Sequence, residues 1–356
     1  MRNVSSNFER TSVRESFLRS AEPQDAARIG YEVLNNLSDI TAISSEWNDL
    51  LARISCNRAF SSAQWFTATC RLHLEMMPHV IVARRAANLV AILPLVLTDE
   101  GRCAEFPSYI SDYNDILAAP EETEAVCGLL DYAAASARGC HSIKLTNLRD
   151  DSNCLRALRM METARSFNYS LHQERSCFYL RLSSNYDELL RTKSRVFRKN
   201  LWRAEREAER AGVIVRELEP ESFSADELPE LFLSLNFERF GNNSHFESAR
   251  AQAFIQEVFP SLFVERRFRA FALYQAQRII GIDICMVGSR SLCTWNGGFI
   301  PTAERFSPGM LLINAGIRQA YALQMDEYDF LRGTHAYKAR WANGTRVLSR
   351  CEFQLT

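Results

Sequence analysis

The spacing of apolar residues along the chain predicts short strands separated by amphipathic helices. In the first half, alternating and continuous apolar runs predict strands at residues 31–34, 79–84, 89–97, 103–107 and 141–148. Helices are expected at about residues 47–54, 65–70 and 120–135. Ser61 or Ser62 is a candidate N-cap for the second of these helices.

The second half repeats this order of elements, without a residue-by-residue repeat. Strands are expected at residues 178–182, 213–217, 270–274, 279–287, 292–297, 327–331 and 346–353, and helices at 186–211, 226–240 and 308–323. Two copies of one α/β unit are the simplest account. We predict a mobile arm at residues 1–25, an N-terminal domain at residues 26–170 and a C-terminal domain at residues 171–356.

Composition limits the classes of function. At 356 residues, with 47% hydrophobic and 24% charged residues, the chain has the makeup of a two-domain globular protein. A net charge of −1 gives no global attraction to DNA or to an anionic membrane, so any basic site is local. The chain shows neither a membrane-spanning apolar run nor a secretory leader pattern, which predicts a cytoplasmic protein without membrane insertion.

Cysteine and histidine are scattered through the chain. The ten cysteines form no CxxC pair, and the six histidines show no spacing typical of metal ligands. We therefore expect reduced, mostly buried thiols and no metal site.

Residues 294–341 contain the strongest functional signal. A strand that ends in a glycine pair leads through a loop to a helix that opens with Ser307-Pro308-Gly309. Backbone N–H groups converge at such a helix start, and Gly309 lets a ligand approach closely, so we predict a phosphate-bearing cofactor there. The expected cofactor contacts are Gly297, Gly298, Arg305, Phe306, Ser307, Pro308, Gly309, Met310 and Leu311.

The equivalent helix of the first half differs chemically. Its expected first turn carries Glu121, Glu122 and Glu124, which satisfy the helix dipole and repel phosphate. The helix in the second half has no acid in its first turn and has Arg305 just before it. Only the second half is therefore expected to hold a pyrophosphate.

A basic face is predicted on the helix that includes residues 191–210. Its members, at spacings of three or four, are Arg195, Lys199, Arg203, Arg206 and Arg210, opposite an apolar stripe of Phe197, Leu201, Ala204, Ala208 and Ala211. This face suits CoA phosphates, an anionic glycan or a tRNA backbone. A solvated amphipathic helix is an equally good interpretation.

Several segments together resemble the CelD/BcsL-type acyltransferases, a branch of the GNAT superfamily related to the FemAB aminoacyl transferases. These segments are residues 60–65, 92–95, 112–115, 193–210, 307–312, 329–333 and 337–341. The resemblance implies an α/β protein of two tandem GNAT-like domains, each a mixed, mostly antiparallel sheet flanked by helices, with acyl-CoA as donor in the second half. The chain departs from the family by having one glycine in the pyrophosphate loop, and by Asn236 and Phe240 where relatives tend to carry His and Trp.

Acyl transfer from a thioester needs an oxyanion donor, a base and often an acid for the leaving thiolate. Backbone N–H groups at Gly297 and Gly298 are the candidate oxyanion donors, an ordinary glycine turn being the alternative. Tyr337 is the candidate acid, and Lys338 would hold an anionic acceptor or a cofactor phosphate.

Three residues are candidates for the base: Asp329, His335 and Glu238. Each has a simpler interpretation, as a buried structural acceptor, a loop histidine and a solvated helix residue, respectively. Acceptor contacts are expected in the groove between the halves, at Asp112, Tyr113, Asp115, Arg239 and Trp295.

The resulting hypothesis is an acyltransferase that acts on a small-molecule or glycan-precursor acceptor. Two rivals stay open. One is a FemAB-like transferase that uses aminoacyl-tRNA, and the other is an inactive GNAT-like binding protein in polysaccharide assembly.

Overall fold

The computed structural model describes residues 28–54, 60–136, 139–163 and 169–355. Its strands are β1 (Ile29–Leu34), β2 (Met77–Arg85), β3 (Asn88–Thr98), β4 (Cys103–Glu105), β5 (Leu117–Ala118), β6 (Ser142–Leu148), β7 (Tyr169–Arg181), β8 (Val213–Leu218), β9 (Phe268–Gln275), β10 (Arg278–Val287), β11 (Ser291–Phe299), β12 (Glu327–Arg332) and β13 (Gly344–Gln354). The predicted arm at residues 1–25 lies outside the described residues.

The helices alternate with groups of these strands. They are α1 (Leu37–Ala42), α2 (Ser44–Arg53), α3 (Ala63–Leu72), α4 (Thr123–Ser136), α5 (Asn153–Thr163), α6 (Tyr186–Thr192), α7 (Arg195–Arg210), α8 (Leu228–Phe240), α9 (Ala249–Val264), α10 (Pro308–Ala322) and α11 (Ala336–Trp341). Ser62 caps α3 by accepting a hydrogen bond from the backbone N–H of Trp65 at 3.2 Å, which confirms one of the two predicted caps.

The strands form one continuous sheet in the order β1-β2-β3-β4-β6-β13-β7-β12-β11-β10-β9-β8, with β5 paired to β3. Most neighbours are antiparallel, whereas β4 pairs with β6 and β11 pairs with β12 in parallel. The last strand, β13, pairs with β6 of the first half on one side and with β7 of the second half on the other. Two α/β units are thus joined edge to edge through the C-terminal strand.

The predicted boundary at residues 170 and 171 falls inside β7. The start of this strand pairs with β13, and its end also pairs with β12. Because residues 170–175 are exposed and mostly polar, they carry no apolar alternation, and the sequence predicted only residues 178–182 of this strand. The division into two domains stays a prediction.

Aromatic side chains fill the junction between the two units. Trp65 of α3 packs edge-on against Phe254 of α9, with ring centroids 4.9 Å apart. The ring centroid of Trp295 of β11 lies 5.7 Å from those of both Trp65 and Phe246. This cluster fixes the second unit against α3, and so it holds the walls of the groove between the halves in place.

The helix predicted at residues 186–211 is broken in the structure. Lys193 and Ser194 adopt extended backbone between α6 and α7, and the Ser194 side chain accepts a hydrogen bond from the N–H of Phe197 at 3.1 Å. This bond caps a new helix. The spacing of apolar residues continues across the break, which is why the sequence predicted one helix, but the helical backbone is interrupted there. The basic face therefore belongs to α7 alone.

The acidic start of α4 also differs from the expectation. This helix begins at Thr123, so only Glu124 of the three expected carboxylates lies in its first turn. Glu122 lies before the helix and forms an ion pair with Arg85 at 2.9 Å. The contrast with α10 persists, because the first turn of α10 contains no acid.

The nine described cysteines are free, and all but Cys127 are buried. Within the described residues, no group of His, Cys, Asp or Glu is arranged to hold a metal ion. Among the same residues, no helix has both the length and the apolar character needed to cross a bilayer.

Candidate active site

A cleft of about 1180 Å³ opens beside β11, α10 and α11. Ile110 and Asp112 of the first half and Arg175 of β7 contribute to its wall, so the cleft lies at the junction of the two units. Pockets for one small ligand usually measure about 300–1,000 Å³. The cleft is therefore large enough for a donor and an acceptor together.

Strands β11 and β12 diverge at this cleft. They pair only from Ser291 to Cys293, whereas β11 stays paired with β10 as far as Phe299. The register with β10 shifts so that Trp295 is an extra residue in β11, which is a β-bulge. Beyond Cys293, the edge of β11 that faced β12 has no strand partner among the described residues and is available to a ligand.

Gly297 and Gly298 do not cause this divergence, which begins before them. A Cβ atom at Gly298 would lie 2.2 Å from the carbonyl oxygen of Leu235, and one at Gly297 would lie 2.4 Å from that of Ile282. The glycines therefore let α8 and β10 approach β11 closely. Gly297 lines the cleft, and its carbonyl accepts a hydrogen bond from Asn236 Nδ2 at 3.1 Å. Gly298 lies outside the lining.

Helix α10 starts at the cleft wall. Its N-cap residue, Ser307, has a left-handed backbone with φ of 55° and makes no side-chain cap hydrogen bond. Apart from its chain neighbours and the backbone of α10 itself, no described atom lies within 4 Å of a Cβ atom placed on Gly309, so this position faces open space. Free N–H groups, the positive end of the helix dipole and the absence of an acid suit a phosphate.

The seven cofactor residues predicted around the start of α10 divide into two groups. Ser307, Pro308, Gly309 and Met310 line the cleft. The other three lie outside the lining. Phe306 and Leu311 are buried in the core beneath α10, and Arg305 stacks on Phe306 at 4.6 Å from the ring centroid.

Three of the predicted catalytic residues, His335, Tyr337 and Lys338, line the cleft together. Tyr337 stacks on His335 with ring centroids 6.1 Å apart, and its partial desolvation raises its pKa to about 12. Lys338 is buried, its Nζ donates a hydrogen bond to the backbone oxygen of Arg332, and burial lowers its pKa. Because the pKa of Tyr337 is about 12, its hydroxyl is protonated at neutral pH and can donate a proton.

Asp329 lies outside the cleft lining, in surroundings typical of a structural residue. It is fully buried, and Tyr113 donates a hydrogen bond at 2.9 Å to its carboxylate. The N–H of Leu331 donates to it at 2.7 Å, and Arg149 and Arg346 each lie 3.5 Å from it. Because these groups occupy its oxygens, the geometry favours the structural interpretation of Asp329 over the role of base.

We expect Asp329→Asn to lower the free energy of unfolding by about 3 kcal/mol or more, because the buried Arg346 and the largely buried Arg149 lose a charge partner. Urea denaturation measures this change. Asp326→Asn is the matched control, since that residue pairs with Arg290 at the exposed surface and its loss costs about 1 kcal/mol or less. Equal losses in the two variants would contradict the assigned role of Asp329.

Of the five predicted acceptor contacts, three line the cleft and two lie outside it. Asp112 lines the cleft and forms an ion pair with Arg332, which links the halves. Two more lining residues are Arg239 and Trp295.

Asp115 has a structural role. It caps α5 by accepting hydrogen bonds from the N–H groups of Asn153 and Cys154 at 2.9 and 3.0 Å, and burial raises its pKa to about 7. Outside the lining are Tyr113, Asp115 and the exposed Glu238.

Asp283 is a cleft residue that sequence reasoning missed. It lies on β10 opposite Gly297 and accepts a hydrogen bond from Thr294 Oγ1 at 2.9 Å. Burial raises its pKa to about 6, although the bond from Thr294 and nearby cations oppose the shift. A single carboxylate inside an otherwise apolar strand was the available signal.

The comparison with protein families agrees with this geometry. A model described as an acetyltransferase (GNAT) domain matches residues 195–339, from α7 into α11. Residues 195–339 are therefore similar in sequence to GNAT acetyltransferase domains. No curated protein matches the chain in sequence. This match does not single out the CelD/BcsL-type family, so that narrower assignment stays a prediction.

Solved structures resemble the chain over both halves. FemX superposes with a TM-score of 0.62 at 13% identity and covers 88% of this chain and 96% of its own. The C-terminal domain of a putative lysylphosphatidylglycerol synthetase from Agrobacterium fabrum gives 0.59 at 12%, covering 88% and 92%. L-PGS from Bacillus licheniformis gives 0.58 at 11%, covering 86% and 90%. At these identities the likeness concerns the fold, and the predicted fold of two tandem GNAT-like units with a mixed, mostly antiparallel sheet is confirmed.

Proposed function

We propose that the protein is an acyltransferase that moves an acyl group from acyl-CoA to an amine or hydroxyl of a small-molecule or glycan-precursor acceptor. The observation that supports this most is the start of α10, free of acids, which opens into a large cleft beside the diverging strands β11 and β12. We also propose a cytoplasmic location, where acyl-CoA is available.

In this proposal the donor's pyrophosphate is bound at the first turn of α10. Ser307, Gly309 and Met310 line that part of the cleft, and Gly309 leaves room for close approach. The thioester then lies along the free edge of β11, whose backbone N–H groups stabilise the oxyanion that forms during attack. The acceptor enters from the side formed by Asp112 and α11.

Two residues of the cleft, Asp283 and Tyr337, supply the proton transfers in this proposal. Asp283, with a pKa of about 6, is ionised at neutral pH and takes the proton from the attacking amine or hydroxyl. The nucleophile forms a bond to the thioester carbon, and the carbon–sulfur bond breaks as the tetrahedral intermediate collapses. Tyr337, with a pKa of about 12, donates its proton to the leaving thiolate. Lys338 positions the turn between β12 and α11 through Arg332, and His335 stays an alternative base.

The direct test combines native mass spectrometry with a thiol-release assay. We expect protein purified from cells to carry a CoA species, and to release CoA thiol from one or more acyl-CoAs, from acetyl-CoA to longer chains, when acceptors are added. Neither binding nor turnover with any chain length would overturn the proposal. CoA binding without any turnover would instead favour the inactive binding protein.

One observation favours the second candidate, a transferase that uses aminoacyl-tRNA. The five basic residues of the α7 face, Arg195, Lys199, Arg203, Arg206 and Arg210, are exposed, and none forms an ion pair within the described part of the chain. Such a line of free cations suits a phosphate backbone. Salt-dependent retention of tRNA on a filter, without CoA affinity, would move the assignment to this candidate.

A further inference from the structure

Basic side chains outnumber acidic ones in the lining of the cleft, and several of the basic ones have no ion-pair partner among the described residues. Its lysine and arginine residues are Arg175, Arg239, Arg332, Lys338 and Arg340, and its acidic residues are Asp112, Asp283 and Glu304. Arg332 is neutralised by Asp112, and Lys338 is held by a backbone oxygen. Among the described residues, the side chains of Arg175, Arg239 and Arg340 form no ion pair or hydrogen bond.

Arg239 is held in place by two aromatic rings. Its guanidinium carbon lies 4.6 Å from the ring centroid of Phe240 and 4.5 Å from that of Phe299. Contacts with both rings restrict the side chain and leave its N–H groups free to bind a planar anion in a bidentate way. The charge of Asp283 acts on Arg239, although the two side chains form no ion pair.

We propose that the acceptor carries an anionic group, a carboxylate or a phosphate, that binds to Arg239. This inference rests on the proposed acyltransferase function of the same cleft. When its anionic group is bound to Arg239, the acceptor can place its nucleophilic amine or hydroxyl at Asp283. Asp283 and Arg239 interact electrostatically. The unpaired Arg175 and Arg340 raise the local concentration of anions in the cleft.

The test uses two matched pairs of amines as acceptors with acetyl-CoA: O-phosphoethanolamine against ethanolamine, and glycine against glycinamide. We expect the charged member of at least one pair to give a kcat/KM about tenfold or more above that of the neutral member, and the pair that responds distinguishes phosphate from carboxylate. In Arg239→Gln this ratio falls to about one, and in Arg239→Lys part of it is retained. Arg278→Gln, an exposed arginine outside the cleft, keeps the parent ratio.

Three results would each overturn the proposal. The first is a ratio near one in the parent protein for both pairs, and the second is an unchanged ratio in Arg239→Gln. The third is a loss of CoA affinity in Arg239→Gln beyond about twofold by calorimetry, because Arg239 would then belong to the donor site.

A binding measurement separates this proposal from the acyltransferase assignment. If no acceptor is turned over, calorimetry with O-phosphoethanolamine and glycine is carried out on Gly309→Asp, which has no donor phosphate site, and on Gly309→Asp combined with Arg239→Gln. Binding to the first protein that is lost in the second supports the anion site although the transferase assignment fails. Binding to neither, or to both equally, refutes the anion site.

Discussion

In Gly309→Asp, we expect the affinity for CoA to fall by roughly a hundredfold or more while the fold stays intact. The new carboxylate would stand beside the N–H groups of the first turn of α10, where the donor's pyrophosphate is proposed to bind. The helical backbone at Gly309 accepts a side chain, and the space around it is open. An acid in the first turn also stabilises a helix. Isothermal titration calorimetry measures the affinity.

Gly309→Asn is the matched control for this substitution, because it adds a side chain of the same size without the charge. We expect it to retain much more CoA affinity than Gly309→Asp. Thermal unfolding followed by circular dichroism checks that both variants fold like the parent. Unchanged CoA affinity in Gly309→Asp would place the donor elsewhere and remove the main support for the proposed function.

Much of the fold was predictable because most strands carry clear apolar patterns. The predicted strands near residues 141–148 and 327–331 and the predicted helix at 308–323 agree with β6, β12 and α10 to within one residue at each end. In these elements the local pattern and the tertiary burial agree. Pro308 gave the start of α10 correctly, because proline suits the first helical turn.

Elements whose burial is not periodic were missed. Helix α9 has Pro260 in its interior and apolar residues around much of its surface, including the buried Phe254 and Phe259, because it packs against both α3 and α8. An amphipathic pattern does not describe such a helix. The first part of β7 was missed for the opposite reason, since its side chains are exposed on both faces.

The site was predictable where its residues are close in sequence. Ser307 to Met310 and His335 to Lys338 form two short segments, and both line the cleft. Asp329 was included among the candidate bases because it lies in the same motif. Its partners Tyr113 and Arg149 come from the first half of the chain, and only the folded sheet brings them to its carboxylate.

We expect Asp283→Asn to lower kcat by roughly 10²–10⁴-fold while CoA affinity stays near that of the parent, because the amide cannot take a proton from the nucleophile. In the parent, kcat/KM should rise with pH through about 6 and then level off, as the carboxylate with a pKa of about 6 becomes ionised. The variant should lack this acidic limb. Steady-state kinetics between about pH 5 and pH 8 measure both effects.

Asp226→Asn, at an exposed site before α8, is the matched control and should keep the parent profile. Loss of fold will not explain the effect at Asp283. Burial raises the folded pKa of this carboxyl above its unfolded value, so its contribution to stability is present at low pH and is lost as pH rises through about 6. An uncharged amide that still accepts the bond from Thr294 avoids that loss, and the variant should be at least as stable as the parent at neutral pH. An Asp283→Asn enzyme that retains both the activity and the acidic limb would exclude Asp283 as the base and leave His335 in that role.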